Sequence, residues 1–574
     1  MDAVLNAFDS GQAVAQVFQA VMRYLAPALI AVLLFRCIRP LVTFRREPEI
    51  WAWLCLDDGR KLPITHWENV IGSHPHSDIV VNAQGISKNH AVLTRYDDGS
   101  WTLADTDSET GILVNGKSVW IAPITEADEI IIGGVHMKLR PMNKQQEGRL
   151  AQLRTQAAKP VNSLANLLLL SVIQILLAIS YLLGVSSEYA TSIITGFGGI
   201  IVSQWLLMIF YLCIGKPSFE METIAFFLCT MGLAAIAAVK PGEITKQLLA
   251  MVLGIVLFLC MGWALRDLER AKKIRFWAAV AGVGLLLATL ATLVFGKEYN
   301  GAKNWLSIAG MSIQPSELSK VCFVFVGASA MDKLLDKKNL IFFIIYTVLI
   351  CMCLAVMNDF GTALIFFVAF LMIAYLRSGS VGTIALACTS LGFAGVLVLR
   401  IAPHALRRFA IWRHIWEDPI DKGYQQTRAL MCIASGGLFG LGAGNGWMHK
   451  IFAADSDVVF ATLAEEWGLL IAVMPVICVI VFGLFALRMS AMGRSSFYTI
   501  GACTAASILL VQTIFNVLGT VDILPLTGVT FPFVSNGGSS MIGGWGLLAF
   551  IKAADTRQNA SFAVRQTKQG RDRL

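Results

Sequence analysis

From residue 162 onward the chain returns repeatedly to apolar runs of roughly 18–23 residues, each long enough to cross the ~30 Å of a bilayer's hydrocarbon. Backbone groups in lipid find no water, so a run of that length must close its hydrogen bonds internally, as a helix. Composition agrees, with 56% hydrophobic and only 15% charged residues. About thirteen spans are predicted, near residues 24–42, 162–184, 190–213, 221–239, 246–264, 275–296, 317–332, 339–357, 361–376, 381–402, 458–487, 497–517 and 537–554. The expected fold class is a polytopic α-helical membrane protein, so dividing chain length by a soluble-domain size does not count its domains.

The formal net charge of +8 resides largely in short loops beside spans, as the positive-inside rule expects, and nucleic acid is not an expected partner. The first span is expected to remain as an anchor rather than a cleaved leader. Asp2 and Asp9 precede it and Arg36, Arg39, Arg45 and Arg46 follow, an order that sets the N-terminus outside and residue 45 in the cytoplasm. Alternating from there, Arg266–Arg275, Asp332–Lys338, Arg377, Arg488–Arg494 and the tail after Lys552 fall inside. Four polar loops, Asn300–Lys320, Asn358–Thr362, Pro403–Asp457 and Leu524–Ser540, fall on the other face. Their convergence argues for one outward-facing site in a multi-pass protein of the cell membrane. The twelve cysteines show no CxxC pair and no Cys/His metal spacing. Most, such as Cys229, Cys260 and Cys322, lie in apolar runs, so neither disulfides nor zinc are expected.

Residues 48–142 break the membrane pattern. Short β-rich segments alternate there with the turn signals DDGR, NAQG, YDDGS and VNGK, which predicts a soluble all-β domain inserted on the cytoplasmic side. The layout expected is an N-terminal anchor over 1–47, the β domain over 48–142, a polar linker over 143–160, two further helices over 161–219, a membrane core over 220–556 and a basic cytoplasmic tail over 557–574.

The most chemically loaded stretch is residues 423–468, a Gly-punctuated polar segment that drives Asp457 into the mouth of a span. Two readings stand at this point: an ionisable group retained at membrane depth for function, or a cap for the helix beginning at Val458. Glu465 and Glu466 follow over two helical turns and read as structural partners of buried polar groups rather than a second catalytic acid. Candidate cations on the same face are Lys303, Lys320, Arg407, Arg408, Arg413, Arg428 and Lys450. Lys320 lies about one turn inside a span with Glu317 three residues earlier, so an internal ion pair stands beside a substrate role. Arg407 and Arg408 suit either a pyrophosphate groove or lipid phosphates at the membrane surface. GLGAGNG follows no strand and opens no amphipathic helix, so it does not support a dinucleotide fold. Pro525 and Pro532 break a helix and predict a re-entrant outer loop.

Three segments of the β domain, IGSHPHSDIVVNAQGISKNHAVL, WTLADTDSETGILVNG and ADEIIIGGVHMKLRP, resemble a forkhead-associated (FHA) domain, with Gly72, Ser87, His90, Gly111, Asn115 and Gly116 at matching positions. That family is a β-sandwich that binds phosphothreonine peptides through loops at one end. The resemblance makes Ser87 the phosphate contact and His90 structural, with Lys88 beside them. The family's Arg after the first Gly is Ser73 here, and its Asn before the second Gly is Thr110. A serine cannot replace a bidentate guanidinium, so weak phosphopeptide recognition and phosphate-independent docking both remain open.

From about residue 220 to 556 the chain resembles the SEDS family (shape, elongation, division and sporulation). The motifs occur in order: NGAKNWLSIAGMSIQPSELSK at 300–320, NDFGTA at 358–363, DPIDKGYQQTRALMCIASGGLFGLG at 418–442, SDVVFATLAEEWG at 456–468 and ILPLTGVTFPFVSNGGSS at 523–540. The family includes RodA-type and FtsW-type peptidoglycan glycosyltransferases, ten-span proteins that polymerise lipid II. The resemblance implies an enzyme with Asp457 as its catalytic carboxylate. It puts Lys303, Trp305, Glu317, Lys320, Asp359, Arg407, Arg408, Gln425, Gln426 and Ser535 in substrate-binding motifs. Asn358 stands where the family commonly has Pro, and Asn536 where Tyr is usual. The implied partners are lipid II and a class B penicillin-binding transpeptidase, joined by a threonine-phosphorylated cytoplasmic protein if the β domain reads phosphate. No metal ligand is singled out and no organic cofactor is implied, while a divalent cation, Mg or Mn, stays open. The competing functions are a flippase for lipid II and an inactive scaffold signalling through the FHA-like domain.

Overall fold

The computed structural model describes residues 2–42, 50–75, 77–96, 99–143, 145–146, 148–149, 162–266, 268–295, 297–299, 302–308, 311–330, 337–378, 381–401, 406, 409–490, 495–557 and 560. Every predicted span falls on a helix. These are α1 (Asp2–Val42), α2 (Ser163–Gly184), α3 (Ala190–Cys213), α4 (Glu220–Val239), α5 (Ile244–Ala264), α6 (Leu268–Phe295), α7 (Pro315–Ala330), α8 (Lys337–Val356), α9 (Phe360–Ser378), α10 (Val381–Ile401), α12 (Val459–Ser490), α13 (Ser496–Thr520) and α14 (Gly538–Ala553), with the amphipathic α11 (Tyr424–Gly436) between α10 and α12. Among the described residues, eight helices are long and apolar enough to cross a membrane by length and composition.

Two helices depart from the expected spans. α1 begins at Asp2 rather than near residue 24, because the apolar run marks only its membrane part. The preceding residues are mostly good helix formers, and extending a helix is far easier than starting one. α12 is broken at Gly468, whose φ of 84° and ψ of 163° no helix accepts. There the loop after α11 lies along the broken helix as paired backbone. Leu441 and Gly442 donate to the Glu465 and Glu466 carbonyls, and Leu469 donates to that of Gly437. A Cβ on Gly436, Gly440 or Gly468 would strike the opposing backbone, which accounts for much of the glycine in SGGLFGLG.

Three helices precede the part of the chain that carries the motifs, and they are built into the bundle. α1 packs on α2, α4 and α12, while α2 and α3 both pack on α4. Gln174 of α2 and Gln204 of α3 exchange amide hydrogen bonds (3.1 and 2.9 Å), and Gln174 also donates to Thr230 of α4 (2.9 Å). Such contacts inside a membrane contribute about 0.6 kcal/mol each. A stronger tie lies about 20 Å along α14 from its start, by helical rise. There the fully buried Lys552 ammonium meets the fully buried Glu222 carboxylate at 2.9 Å, and Tyr211 of α3 donates to the same carboxylate. Removing one member of such a pair strands a buried charge, at a cost of about 3–5 kcal/mol. Just beyond the helix, Arg557 pairs with Asp555 and Glu220. Burial pushes its pKa down, but the two carboxylates outweigh that and leave it raised.

The β domain comprises β1 (Ala52–Leu56), β2 (Lys61–Ile64), β3 (Glu68–Gly72), β4 (Ile79–Val80), β5 (Ala91–Arg95), β6 (Trp101–Asp105), β7 (Ile112–Val114), β8 (Lys117–Val119), β9 (Ile121–Ile124), β10 (Glu129–Ile132) and β11 (Val135–Pro141). They form a sandwich of a six-stranded sheet, order β2-β1-β11-β10-β7-β8, and a five-stranded sheet, order β4-β3-β5-β6-β9. Alternating residues such as Leu54, Leu93, Leu103, Ile132 and Leu139 are buried between the sheets, as period-two patterning requires. His90 is fully buried. Its Nδ1 accepts from the Ser87 backbone (3.1 Å), so Nε2 carries the proton and donates to the Gly111 carbonyl (3.0 Å), tying two binding-end loops together. The domain meets the membrane bundle through Trp67, which is buried in the same apolar cluster as α1. Arg95 caps this junction, its guanidinium 4.4 Å from the ring centre of Trp51.

Candidate active site

The segment that carries Asp457 is irregular backbone at the start of α12, and the surrounding elements supply its hydrogen-bond partners. From α13, the Asn516 amide donates to the carbonyls of Ser456 (3.2 Å), Asp457 (3.0 Å) and Val529 (2.9 Å). One side chain therefore joins the Asp457 loop to the loop before α14. Ser535 Oγ donates to the Ser456 carbonyl (2.6 Å) while accepting from the Phe531 backbone (2.8 Å). The Asp457 side chain is half-buried, and Ser456 Oγ donates to its Oδ1 (3.1 Å). Gly528, at φ 71°, faces Oδ2, and a Cβ there would lie 3.5 Å from it.

Two residues upstream, Asp455 is 2% exposed and carries its own network. Lys240, at the end of α4, bridges both its oxygens (2.9 and 3.2 Å). Asn536 donates to it twice, from its backbone to the Asp455 carbonyl (2.8 Å) and from its amide to Oδ2 (2.7 Å), and that amide also reaches Glu243 (3.0 Å). Asn536, standing where a tyrosine is usual in the resembled family, thus ties the loop that carries Asp457 through Asp455. Lys240, Asp455, Asn516 and Gly528 escaped the sequence reading. Each acts through a partner far along the chain, so that even Gly528, inside the motif at 523–540, and Asp455, inside the stretch 423–468, show their roles only in the fold.

The loop between α6 and α7 folds as a three-stranded sheet of β12 (Lys297–Tyr299), β13 (Ala302–Ile308) and β14 (Met311–Ile313). Gln314 then ties this loop to two others, its backbone donating to Ser539 Oγ (3.1 Å) and its amide to Asp359 Oδ2 (3.1 Å). Asp359 Oδ1 accepts from the Thr362 backbone (3.1 Å), capping α9. Asn358 has φ 61°, a left-handed conformation that asparagine tolerates and proline cannot adopt. Its departure from the family's proline therefore changes the backbone entering Asp359.

The remaining sequence candidates divide by location. Gln426 is buried and donates to the Gly519 carbonyl (3.0 Å), bracing α11 on α13, while Gln425 donates to the Phe452 carbonyl (3.0 Å). Lys320 and Glu317 form an ion pair of 2.6 Å with side chains 1% and 7% exposed, so each is the other's partner inside the bundle. Trp305 on β13 is half-buried. The side chain of Lys303 and the whole of Arg407 and Arg408 lie outside the described residues. Glu465 and Glu466 are buried and accept backbone N–H groups, Glu465 from Met448 (2.9 Å) and Glu466 from Gly444 (2.6 Å) and Gly446 (3.0 Å). Among the described residues no group of three His, Cys, Asp or Glu is placed to hold a metal ion.

In the β domain, Gly72 leaves room for the Lys88 carbonyl, and the backbones of Ser73 and His74 donate to the carbonyls of Ser87 (3.1 Å) and Lys88 (3.2 Å). Ser73, Ser87 and Lys88 therefore sit side by side. Ser87 Oγ accepts from the Glu109 backbone (3.1 Å), which leaves its own hydrogen available to a ligand.

Fold and site together describe a polytopic membrane protein whose polar loops are hydrogen-bonded to one another, with an inserted β-sandwich. The family model for the FtsW, RodA and SpoVE cell cycle proteins matches residues 223–560, more than half of the chain, and the FHA domain model matches residues 69–133. The chain belongs to the FtsW/RodA/SpoVE family and carries an FHA domain. It is 28% identical over 324 residues to the peptidoglycan glycosyltransferase RodA of Mycobacterium tuberculosis, covering 53% of this chain and 69% of that protein. It is 31% identical over 351 residues to the probable peptidoglycan glycosyltransferase FtsW of Tolumonas auensis, covering 57% and 90%. Among solved structures, a chain from a peptidoglycan synthase complex matches with 22% identity and a TM-score of 0.48, over 58% of this chain and 96% of that one.

The clamp on Asp455 has a measurable consequence. Asn536→Ala removes one hydrogen bond to the buried Asp455 carboxylate, which contributes about 1.5–3 kcal/mol, and a second to the exposed Glu243. It is expected to lower the melting temperature and speed amide hydrogen exchange over residues 453–458. Exchange there as slow as in the wild type would show that Asn536 does not hold the loop.

Proposed function

We propose that this chain is a peptidoglycan glycosyltransferase that polymerises lipid II into glycan strands at the outer face of the cytoplasmic membrane, for cell elongation, division or sporulation. The observation that carries the reading is the linkage of the four polar loops, in which Gln314 reaches Ser539 and Asp359 while Ser535 and Gly528 meet the segment of the half-buried Asp457. Asp457 accepts the proton of the acceptor sugar hydroxyl. The freed oxygen bonds to the anomeric carbon of the donor sugar as the bond from that carbon to the lipid pyrophosphate breaks, and the electron pair leaves on phosphate. Fixing its backbone holds the carboxylate in reach of the hydroxyl. Arg407, Arg408, Arg413 and Arg428 are the cations assigned to the departing pyrophosphate. A flippase would favour charges along a path through the membrane, whereas this polar set gathers near one face.

The site faces outward and the FHA domain and C-terminus are cytoplasmic, a sidedness supported by the Lys and Arg content of the opposite loops. The FHA domain then recruits an intracellular protein, threonine-phosphorylated if the site reads phosphate. A class B penicillin-binding transpeptidase is the partner assigned to cross-link the product. The division into anchor, FHA domain, linker, two helices, core and tail follows the boundaries expected above.

Three outcomes test this reading. With purified lipid II, Asp457→Ala and Asp457→Asn are each expected to lower polymerisation about a hundredfold or more, since an amide cannot take the proton. Wild-type rate and product length in either variant would remove Asp457 from the chemistry. In intact cells, a membrane-impermeant maleimide should label His449→Cys and spare Glu109→Cys; the reverse pattern would invert the topology. Restoring the guanidinium by Ser73→Arg should tighten phosphothreonine-peptide binding at least about tenfold by calorimetry, from the strength of charged hydrogen bonds. Sub-micromolar, phosphate-dependent binding already present in the wild type would mean that the serine suffices.

A further inference from the structure

Helices α1 and α2 lie outside the family match, which begins at residue 223, yet both touch the loop that leads to Asp457. On α1, Gln19 Nε2 donates to the Ala443 carbonyl (3.4 Å), and Gln19 Oε1 accepts from Asn445 Nδ2 (3.0 Å). Further along the same helix, the Tyr24 ring lies 4.9 Å from that of Phe439. At the end of α2, Gly184 meets the loop backbone to backbone. A Cβ at Gly184 would collide with the Ala443 carbonyl oxygen, and one at Gly444 would lie 2.5 Å from the Gly184 carbonyl oxygen. Tyr181, one turn earlier, accepts from Trp467 Nε1 at 2.8 Å, with both rings buried.

From the opposite side, Glu465 and Glu466 hold the same loop through the backbone of Gly444, Gly446 and Met448. Residues 439–448 are thus clamped between two buried carboxylates of the core and two helices that precede it. The clamped loop displays Trp447, 64% exposed, with the Lys450 ammonium 4.0 Å above its ring. An exposed aromatic face suits a sugar ring, and an ammonium beside it suits a phosphate.

We propose that α1 and α2 are positioning elements of the substrate site, with Gln19 and Gly184 setting the shape of the 439–448 loop and so the presentation of Trp447 and Lys450 to a lipid-linked sugar pyrophosphate. This rests on the glycosyl-transfer reading. Neither residue touches the substrate; both act through the loop. Their loss therefore weakens substrate binding more than the chemical step, which belongs to Asp457.

The test uses the full-length protein in lipid nanodiscs, comparing wild type with Gln19→Ala, Gln19→Glu and Gly184→Val. Polymerisation is measured against lipid II concentration, and amide hydrogen exchange is followed over residues 439–448. Gln19→Ala and Gly184→Val are expected to raise KM about three- to tenfold while kcat stays within about twofold, the signature of lost ground-state binding. Gln19→Glu keeps the acceptor for Asn445 and should recover part of the KM. A variant that merely folds less well loses kcat in proportion to its active fraction and keeps its KM. Unchanged KM in both Gln19→Ala and Gly184→Val overturns the proposal, whatever happens to kcat. If the wild type itself turns over no lipid II, the glycosyl-transfer reading fails, and exchange decides this proposal alone. Faster exchange over 439–448 in both variants upholds the clamp, and wild-type exchange overturns it.

Discussion

Irregular backbone at the edge of a membrane persists only where the protein supplies its hydrogen-bond partners, because lipid offers none. The stretch from Gly437 to Asp457 lives under that constraint, and much of the bundle answers to it. Glu465 and Glu466 are two adjacent carboxylates held in the interior, an arrangement that is costly unless backbone donors converge on them, as those of Gly444, Gly446 and Met448 do. Asn516, Ser535 and Asn536 play the same part nearer Asp457. The break in α12 at Gly468 lets the loop pair with the helix it would otherwise run past.

The same logic explains why the bundle is tied at both ends. Around Asp457 the ties are hydrogen bonds to loop backbone and the Lys240–Asp455 ion pair. At the far end of α14 they are buried ion pairs, Lys552 with Glu222 and Arg557 with Glu220 and Asp555. α1 runs from Gln19, beside the glycine-rich loop, to Val42, a helical rise of about 35 Å and so close to a bilayer's thickness. One helix therefore touches the site loop near one end and delivers the FHA domain at the other. Trp67 and Arg95 then seat that domain against the bundle.

Much of the architecture was legible in the amino-acid sequence, for a specific reason. Apolar run length maps directly onto helices in lipid, so every predicted span found its helix, and period-two burial exposed the sandwich. What the runs could not show was a helix continuing past its apolar part, as α1 does, or breaking inside it, as α12 does at Gly468. Asp457 stood out because a charge beside an apolar run is costly. Its supports did not, since Lys240 and Asp455 stand 215 residues apart and only the fold brings them to 2.9 Å. Gln426 and Ser535 stood in motifs of the resembled family, but their roles as braces emerge only from the carbonyls they bind. The pairing of Glu317 with Lys320, by contrast, was readable from their spacing on one helical face.

Where a lipid-linked sugar is handled separates polymerisation at one surface from passage through the bundle. The most direct measurement is photocrosslinking of the intact protein with lipid II carrying a photoreactive group on its disaccharide, with the adducts mapped by mass spectrometry. The account predicts adducts on the loops around Asp457, at Trp447–Lys450, Trp412–Tyr424 and Thr527–Asn536. Adducts concentrated instead along the bundle interior near Gln174 and Gln204, or at the far end near Lys552, would contradict a single surface site and favour passage of the lipid through the protein.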